Sequence, residues 1–172
     1  NRRPPHPVRV LGIDPGTATL GFGLVEGTPG ASDGATLVDW GVVRTRPPTS
    51  MPDRLVEIYH ALVELIATLE PDAMAVEELF FSSNVTTAIS VGQARGVVLL
   101  AGALAGLPVA EYKPNVVKSA LTGYGAADKR QVQDMLRVVL GLREIPRPDD
   151  AADAVAVALC HLQQARLAEL MG

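Results

Sequence analysis

Runs of apolar residues divide the chain into short strand-like segments and longer helical ones. Three β-prone runs come first, at about residues 8–14, 18–26 and 36–45. The connections between them are short and rich in glycine, which favours an antiparallel meander. The next apolar positions recur every 3.6 residues, and they predict a helix that begins at the capping pattern of residues 50–53 and ends before Pro71.

The second half of the chain alternates strands with helices. Residues 73–76 form a short, continuous apolar run of the kind found in buried strands, and residues 109–112 form a fifth strand. Further helices are predicted at about residues 86–106, 115–122, 127–141 and 150–170. The order βββαβαβααα predicts an α/β fold in which a five-stranded mixed sheet, an antiparallel meander followed by parallel strands, is flanked by helices.

Length and composition indicate one aliphatic globular unit. A chain of 172 residues with 48% hydrophobic residues can bury a substantial core. We expect a single domain over residues 8–170, preceded by a disordered Pro- and Arg-rich tail at residues 1–7. We expect no membrane span, because polar residues interrupt every long apolar run. The single cysteine, Cys160, excludes an internal disulfide and suits a reducing cytoplasm.

Charge is distributed unevenly along the chain, whose formal net charge is −4. Residues 53–78 hold seven acids and one base, whereas residues 113–147 hold seven bases and three acids. This asymmetry suits a protein that gathers carboxylates in one place and meets a polyanion with another region. Unevenly charged, solvated surfaces would give the same asymmetry, so charge alone does not decide the function.

Acidic residues end two of the predicted strands and open the last helix. Asp14 ends the first strand and Glu77 the fourth, so their carboxylates converge if those strands are neighbours. Asp150 and Asp153 share one face of the last helix, and an apolar stretch that should pack on the sheet follows Asp153. Asp149 is also within reach of Asp153 in a helix.

Four carboxylates without a local arginine partner repel one another unless divalent cations neutralise them. Hard oxygen ligands favour Mg²⁺ or Mn²⁺, and two such ions about 4 Å apart are typical of in-line phosphoryl displacement. The residues therefore favour a metal-dependent phosphodiesterase. In isolation, the Asp-Pro-Gly turn at Asp14 fits equally well an aspartate that caps its own backbone.

Six sequence blocks lie in a fixed order over nearly all of residues 8–165. They are GIDPGTATLGFG, AVEELFF, VGQARGV, VVKSALTGYG, DKRQVQ and DDAADAVAVALCH. In this order they resemble the blocks of the RuvC family, the bacterial crossover (Holliday) junction endodeoxyribonucleases, and GQARG and DAADA are the most specific. The resemblance implies a ribonuclease H-like fold and a homodimer. It also implies an enzyme of recombination and DNA repair that makes paired nicks with Mg²⁺ and leaves 5′-phosphate and 3′-hydroxyl ends.

The resemblance assigns roles to individual residues. The catalytic and metal-binding acids become Asp14, Glu77, Asp150 and Asp153, with Asp150 preferred over Asp149 because DAAD is the matching unit. Two Mg²⁺ ions are implied in each site, and Mn²⁺ can substitute. Contacts to four-way junction DNA are implied for Lys118, Lys129, Phe80 and Arg95. Without the resemblance, the two lysines would be read as ordinary exposed residues.

Assembly and location are expected from the same resemblance. A symmetric dimer would use the helix around residues 92–106, whose small residues allow a close approach, although they could equally pack on the sheet. The expected partner is a branch-migration motor complex of the RuvA-RuvB type, and the expected location is the cytoplasm. The single histidine of the last helix, His161, is interpreted as structural.

Two other functions compete with this prediction. Actin-like ATP-binding enzymes also carry an Asp-x-Gly-Thr loop after a strand, but this chain offers one such unit and no second lobe. A non-catalytic junction-binding module could keep the fold, yet all four acids are present.

Overall fold

The computed structural model describes residues 6–31, 33–46, 50–78 and 84–171, with side chains described as far as residue 165. Within these ranges the chain forms five strands and five helices in the predicted order. They are β1 (Val8–Asp14), β2 (Thr19–Gly27), β3 (Thr36–Arg44), α1 (Met51–Leu69), β4 (Ala73–Glu77), α2 (Val85–Leu104), β5 (Val109–Tyr112), α3 (Pro114–Thr122), α4 (Lys129–Val139) and α5 (Asp149–Met171). Most of the predicted tail, residues 1–5, lies outside the described residues.

The five strands form one mixed sheet in the order β3-β2-β1-β4-β5. β1, β2 and β3 are antiparallel neighbours, and β4 and β5 continue the sheet parallel to β1. The predicted fold class is therefore confirmed. Ile13 pairs with Val76 in the β1–β4 register, so the next residues, Asp14 and Glu77, end adjacent parallel strands at the same edge.

One face of the sheet is covered by α5. Residues 151–160 are all buried except Asp153, which is half-buried. The helix lies so close to the sheet that a Cβ at Gly12 would lie 2.0 Å from the Ala154 carbonyl oxygen. A Cβ at Gly21 would lie 2.0 Å from the carbonyl oxygen of Asp150. Bare glycine backbone on β1 and β2 thus sets the depth at which α5 packs.

The other face is covered by α1 and α2, which pack on the alternate residues of β1 through a cluster that includes Leu11, Ile13 and Leu62. α2 buries only part of its surface, and four of its large apolar side chains are exposed: Val85, Ile89, Leu100 and Leu104. Gly102 faces the core, where an added Cβ would lie 2.8 Å from Val109 Cγ2, whereas a Cβ at Gly92 or Gly96 would meet no described atom within 4 Å.

By length and a mean hydropathy of 1.4, α2 has the composition of a membrane span, which the sequence analysis did not expect. The core helix of a soluble protein can have the same composition, so composition alone does not place α2 in a membrane. Here the buried side of α2, with Ala94, Val98 and Ala101, belongs to the core cluster beneath the sheet. α2 therefore packs as part of the globular unit.

The predicted start of one helix is corrected by its capping. α4 was expected over residues 127–141 but begins at Lys129, because Asp128 is its N-cap. Asp128 Oδ1 accepts a hydrogen bond from the Gln131 backbone N–H, and the Gln131 side chain accepts one from the Asp128 N–H, both at 2.9 Å. This capping box fixes the first residue of α4 beside the carboxyl edge of the sheet.

Candidate metal centre

Three aspartates from two distant parts of the chain meet at the carboxyl edge of the sheet. Carboxylate oxygens of Asp14, Asp150 and Asp153 all lie within 4.8 Å of one another, and the three residues are half-buried. β1 ends at Asp14, and the close packing of α5 over Gly21 brings the first turn of that helix above it. Pro148 helps to form that turn, since its carbonyl oxygen accepts the N–H of Ala151 at 3.0 Å.

Glu77 completes the acidic group from the neighbouring strand. A side-chain hydrogen bond links it to Asp14, and the charge of Asp153 repels it. The structure thus brings together the four acids that the sequence analysis singled out. Their part in metal binding and catalysis stays a prediction at this point.

Burial and mutual repulsion keep this group from ionising fully on its own. Burial, together with the charges of Glu77, Asp153 and Asp150, raises the pKa of Asp14 to about 9. Burial and the charge of Asp153 raise the pKa of Glu77 to about 7. Burial also raises the pKa of Asp153. Such a set of oxygen donors fits a hard divalent cation, which would remove the repulsion and stabilise the ionised forms.

Asp149 lies next to this group but has a different partner. Its Oδ2 forms an ion pair with Lys129 Nζ at 2.9 Å, and its Oδ1 accepts a hydrogen bond from Gln133 Nε2 at 3.3 Å. The hydrogen bond and charge of Lys129 lower the pKa of Asp149, and the hydrogen bond with Asp149 together with the nearby aspartate charges raises the pKa of Lys129. Of the two adjacent aspartates, Asp150 therefore has the geometry of a ligand.

A cleft of about 220 Å³ opens beside the acids, between α3, α4 and α5. Lys118 and Lys129 lie on its wall together with Glu77 and Asp153, so both predicted lysines are beside the acidic group. Sequence reasoning did not identify Gln133, which also lines the cleft. Its position one turn after Lys129 on α4 is the sequence feature that could have identified it. The remaining lining is mainly apolar: Pro114, Val117, Val132, Leu136, Ala152, Ala156 and Val157.

One predicted DNA contact is not brought to the acids, and another lies outside the described residues. Arg95 lies on α2, across the sheet from α5, and forms an ion pair with Glu111 of β5. Its Nε is buried and has no hydrogen-bond partner among the residues that the structure describes. Phe80 lies outside the described residues. Contacts of both residues with DNA stay predictions.

His161 is tied into the fold, as the sequence analysis expected. Its Nδ1 shares a hydrogen bond of 2.7 Å with the Tyr112 hydroxyl, which joins α5 to β5. Burial lowers the pKa of His161 and raises that of Tyr112 to about 12, so both groups stay neutral near pH 7. Tyr112 pairs with Glu77 in the β4–β5 register, and this contact therefore supports the edge that carries the acids.

Comparison with known proteins identifies the family of this chain. The family model described as crossover junction endodeoxyribonuclease RuvC matches residues 10–161. The crossover junction endodeoxyribonuclease RuvC of Chloroflexus aggregans is 55% identical over 165 residues, covering 96% of this chain and 99% of the relative. That of Roseiflexus sp. is 60% identical over 153 residues, covering 89% of each. The solved structure of Thermus thermophilus RuvC in complex with Holliday junction substrate is 43% identical, with a TM-score of 0.87, and the match covers 94% of this chain and 96% of that one.

Proposed function

This chain belongs to the RuvC family of crossover junction endodeoxyribonucleases, and we propose that it resolves Holliday junctions at the site built by Asp14, Glu77, Asp150 and Asp153. The observation that carries the proposal is the convergence of three aspartate carboxylates within 4.8 Å, with Glu77 beside them. The reaction is hydrolysis of one phosphodiester in each of two equivalent strands of a four-way junction, in recombination and DNA repair.

Two Mg²⁺ ions are the proposed cofactor, with Mn²⁺ able to substitute. Asp14, Glu77, Asp150 and Asp153 would hold them. Bound there, they would supply the charge that activates water and stabilises the leaving oxygen. The support from this chain is its all-carboxylate donor set, with Asp14 and Glu77 protonated in part at neutral pH until a cation offsets their repulsion.

Two lysines of the cleft would orient the DNA substrate. Lys118 and Lys129 line the cleft beside the acids, where their ammonium groups would contact the scissile and flanking phosphates. Water oxygen forms a bond to phosphorus while the bond from phosphorus to the 3′ oxygen breaks. The 3′ oxygen leaves as a hydroxyl and the phosphate stays on the 5′ end of the other product.

We also propose that the active species is a symmetric dimer, since one chain offers one such site and a junction needs two matched cuts. The exposed apolar residues of α2 and the open surfaces of Gly92 and Gly96 support an interface there. Gly102 is excluded from that surface because it packs on Val109 and Met74. A motor partner of the RuvA-RuvB type and a cytoplasmic location are proposed from family membership alone.

Two adjacent glutamates give a matched test of the site. Glu77→Gln removes one carboxylate from the acidic group and should lower Mg²⁺-dependent cleavage of a synthetic four-way junction by about 10³-fold. The reason is that a bound metal ion stabilises the transition state by several kcal/mol. Junction binding should survive, as it should in Asp14→Asn. Glu78→Gln changes the same charge one residue away and should leave cleavage within about threefold. Equal losses in the two glutamine variants, or parallel loss of binding and cleavage, would contradict the assignment.

The lysines are tested by the salt dependence of binding. Lys118→Ala and Lys129→Ala should each weaken junction binding or cleavage and reduce the slope of log K against log salt by about one unit for every lost phosphate contact. Unchanged slopes together with unchanged cleavage would remove both lysines from the site.

The sequence left two alternative functions open, an ATP-binding enzyme and a non-catalytic junction-binding module. The family match favours neither of them. ATP hydrolysis by the protein in the absence of DNA would favour the ATP-binding enzyme.

A further inference from the structure

Lys129 carries its positive charge beside the acidic group, where it could compete with a divalent cation for the carboxylates. Lys129 is the first residue of α4, and the charges of Asp149, Asp150 and Asp153 all act on it. An unrestrained ammonium near a group of carboxylates pairs with them, since attraction between opposite charges at about 4 Å is several kcal/mol near a protein surface. A lysine paired in that way would neutralise the carboxylate charge that binds a divalent cation.

The structure shows what restrains this lysine. Its ammonium is held by Asp149 Oδ2 at 2.9 Å, and the other oxygen of that carboxylate is held by Gln133 Nε2 at 3.3 Å. Lys129 and Gln133 lie one turn apart on α4, so Asp149 at the start of α5 is bound by two groups of the facing helix. The side chains of Lys129 and Asp149 are 54% and 65% exposed, so the pair lies at the surface, and Lys129 also lines the cleft.

Resting on the proposed function, we propose that Asp149 is a positioning residue for Lys129. It retains the ammonium at the mouth of the cleft, where a DNA phosphate enters, and keeps it from pairing with Asp150 and Asp153. The acidic group then stays open to divalent cations, and the lysine stays available to the substrate. Asp149 does so without being a metal ligand itself.

A double-mutant cycle in the absence of DNA tests this role. Wild type, Asp149→Asn, Lys129→Met and the double variant are titrated with Mg²⁺ by calorimetry, and the Mg²⁺ dissociation constants are compared. Asp149→Asn should weaken Mg²⁺ binding by about 3- to 10-fold, because the released lysine pairs with Asp150 and Asp153. In the Lys129→Met background the same substitution should change the dissociation constant less than twofold.

A matched variant and a second measurement separate the positioning of Lys129 from the general electrostatic effect of losing one acidic residue. Asp134→Asn removes an exposed acid from α4, outside the cleft, and should leave Mg²⁺ binding unchanged. The Mg²⁺ concentration for half-maximal junction cleavage should rise in Asp149→Asn, while the rate at saturating Mg²⁺ recovers to within about threefold. An equal or larger loss of Mg²⁺ affinity in the Lys129→Met background would overturn the proposal and leave the metal site intact. A wild type that binds no Mg²⁺ would overturn both.

Discussion

The two faces of the sheet are packed in different ways. On one face α5 rests on glycine backbone, its residues 151–160 are buried apart from half-buried Asp153, and its first turn carries two of the clustered aspartates. On the other face α2 leaves Val85, Ile89, Leu100 and Leu104 exposed, and two of its glycines face open space. The closely packed face carries two of the clustered acids, whereas the loosely packed face leaves apolar side chains exposed.

The same chemical change should therefore have opposite effects on the two faces. Gly21→Ala places a Cβ 2.0 Å from the Asp150 carbonyl oxygen, so α5 must shift and the aspartates must separate. We expect near-complete loss of junction cleavage and a loss of about 1–3 kcal/mol in the free energy of unfolding, measured by denaturant titration. Gly96→Ala on α2 meets nothing within 4 Å among the described residues and should raise the free energy of unfolding of the monomer by up to about 1 kcal/mol. Similar outcomes at the two positions would show that the faces do not differ in this way.

The acidic edge should make the stability of the metal-free protein depend on pH. The pKa values of Asp14 and Glu77 are raised in the folded state to about 9 and about 7, from 3.8 and 4.5. The folded state therefore binds more protons, and the stability that these groups provide is complete below about pH 4 and is lost as pH rises through 7 and 9.

The melting temperature in EDTA should accordingly fall between pH 6 and pH 9, by about 2–4 °C for each kcal/mol lost. Mg²⁺ should raise it more at pH 9 than at pH 6, because cation binding favours the ionised carboxylates. Asp14→Asn should be more stable than wild type in EDTA at pH 8 and should show a flatter profile. A profile in EDTA that rises with pH, or an Mg²⁺ effect independent of pH, would contradict this account.

The smallest of these effects concerns the exposed face of α2. Leu104→Glu changes a side chain that is 66% exposed and should raise the dimer dissociation constant about tenfold or more without altering monomer unfolding. Val138→Glu, on α4 and 67% exposed, is the matched control and should leave the dimer unchanged. Sedimentation velocity over a concentration series measures both. A wild type that stays monomeric with and without junction DNA while making paired cuts would exclude the dimer.

Local sequence patterns were sufficient to predict the elements of the fold. Alternation and continuous apolar runs placed the strands nearly to the residue, because each has a clear turn or proline at its ends. The meeting of Asp14 and Glu77 needed one further fact, the adjacency of β1 and β4, which the sequence suggested but only pairing in the sheet shows.

Features that depend on distant packing could not be predicted from local patterns. Asp149 and Asp150 are neighbours on a helix and point about 100° apart. The resemblance favoured Asp150, but only the packing of α5 on Gly12 and Gly21 shows which one joins the acids. Arg95 could not be linked to Glu111 without the position of β5. The glycines of α2 looked alike in sequence, yet Gly102 is in the core and Gly96 is at the surface.

The acidic group joins parts of the chain that are far apart in sequence, and this has a consequence for its synthesis. Asp14 belongs to β1, while Asp150 and Asp153 belong to α5, and every other element of the described chain lies between them. A nascent or truncated chain that stops before residue 150 has neither of the α5 aspartates and leaves the glycine face of β1 and β2 uncovered. The three-aspartate cluster therefore forms only after α5 has been synthesised and has docked on the sheet.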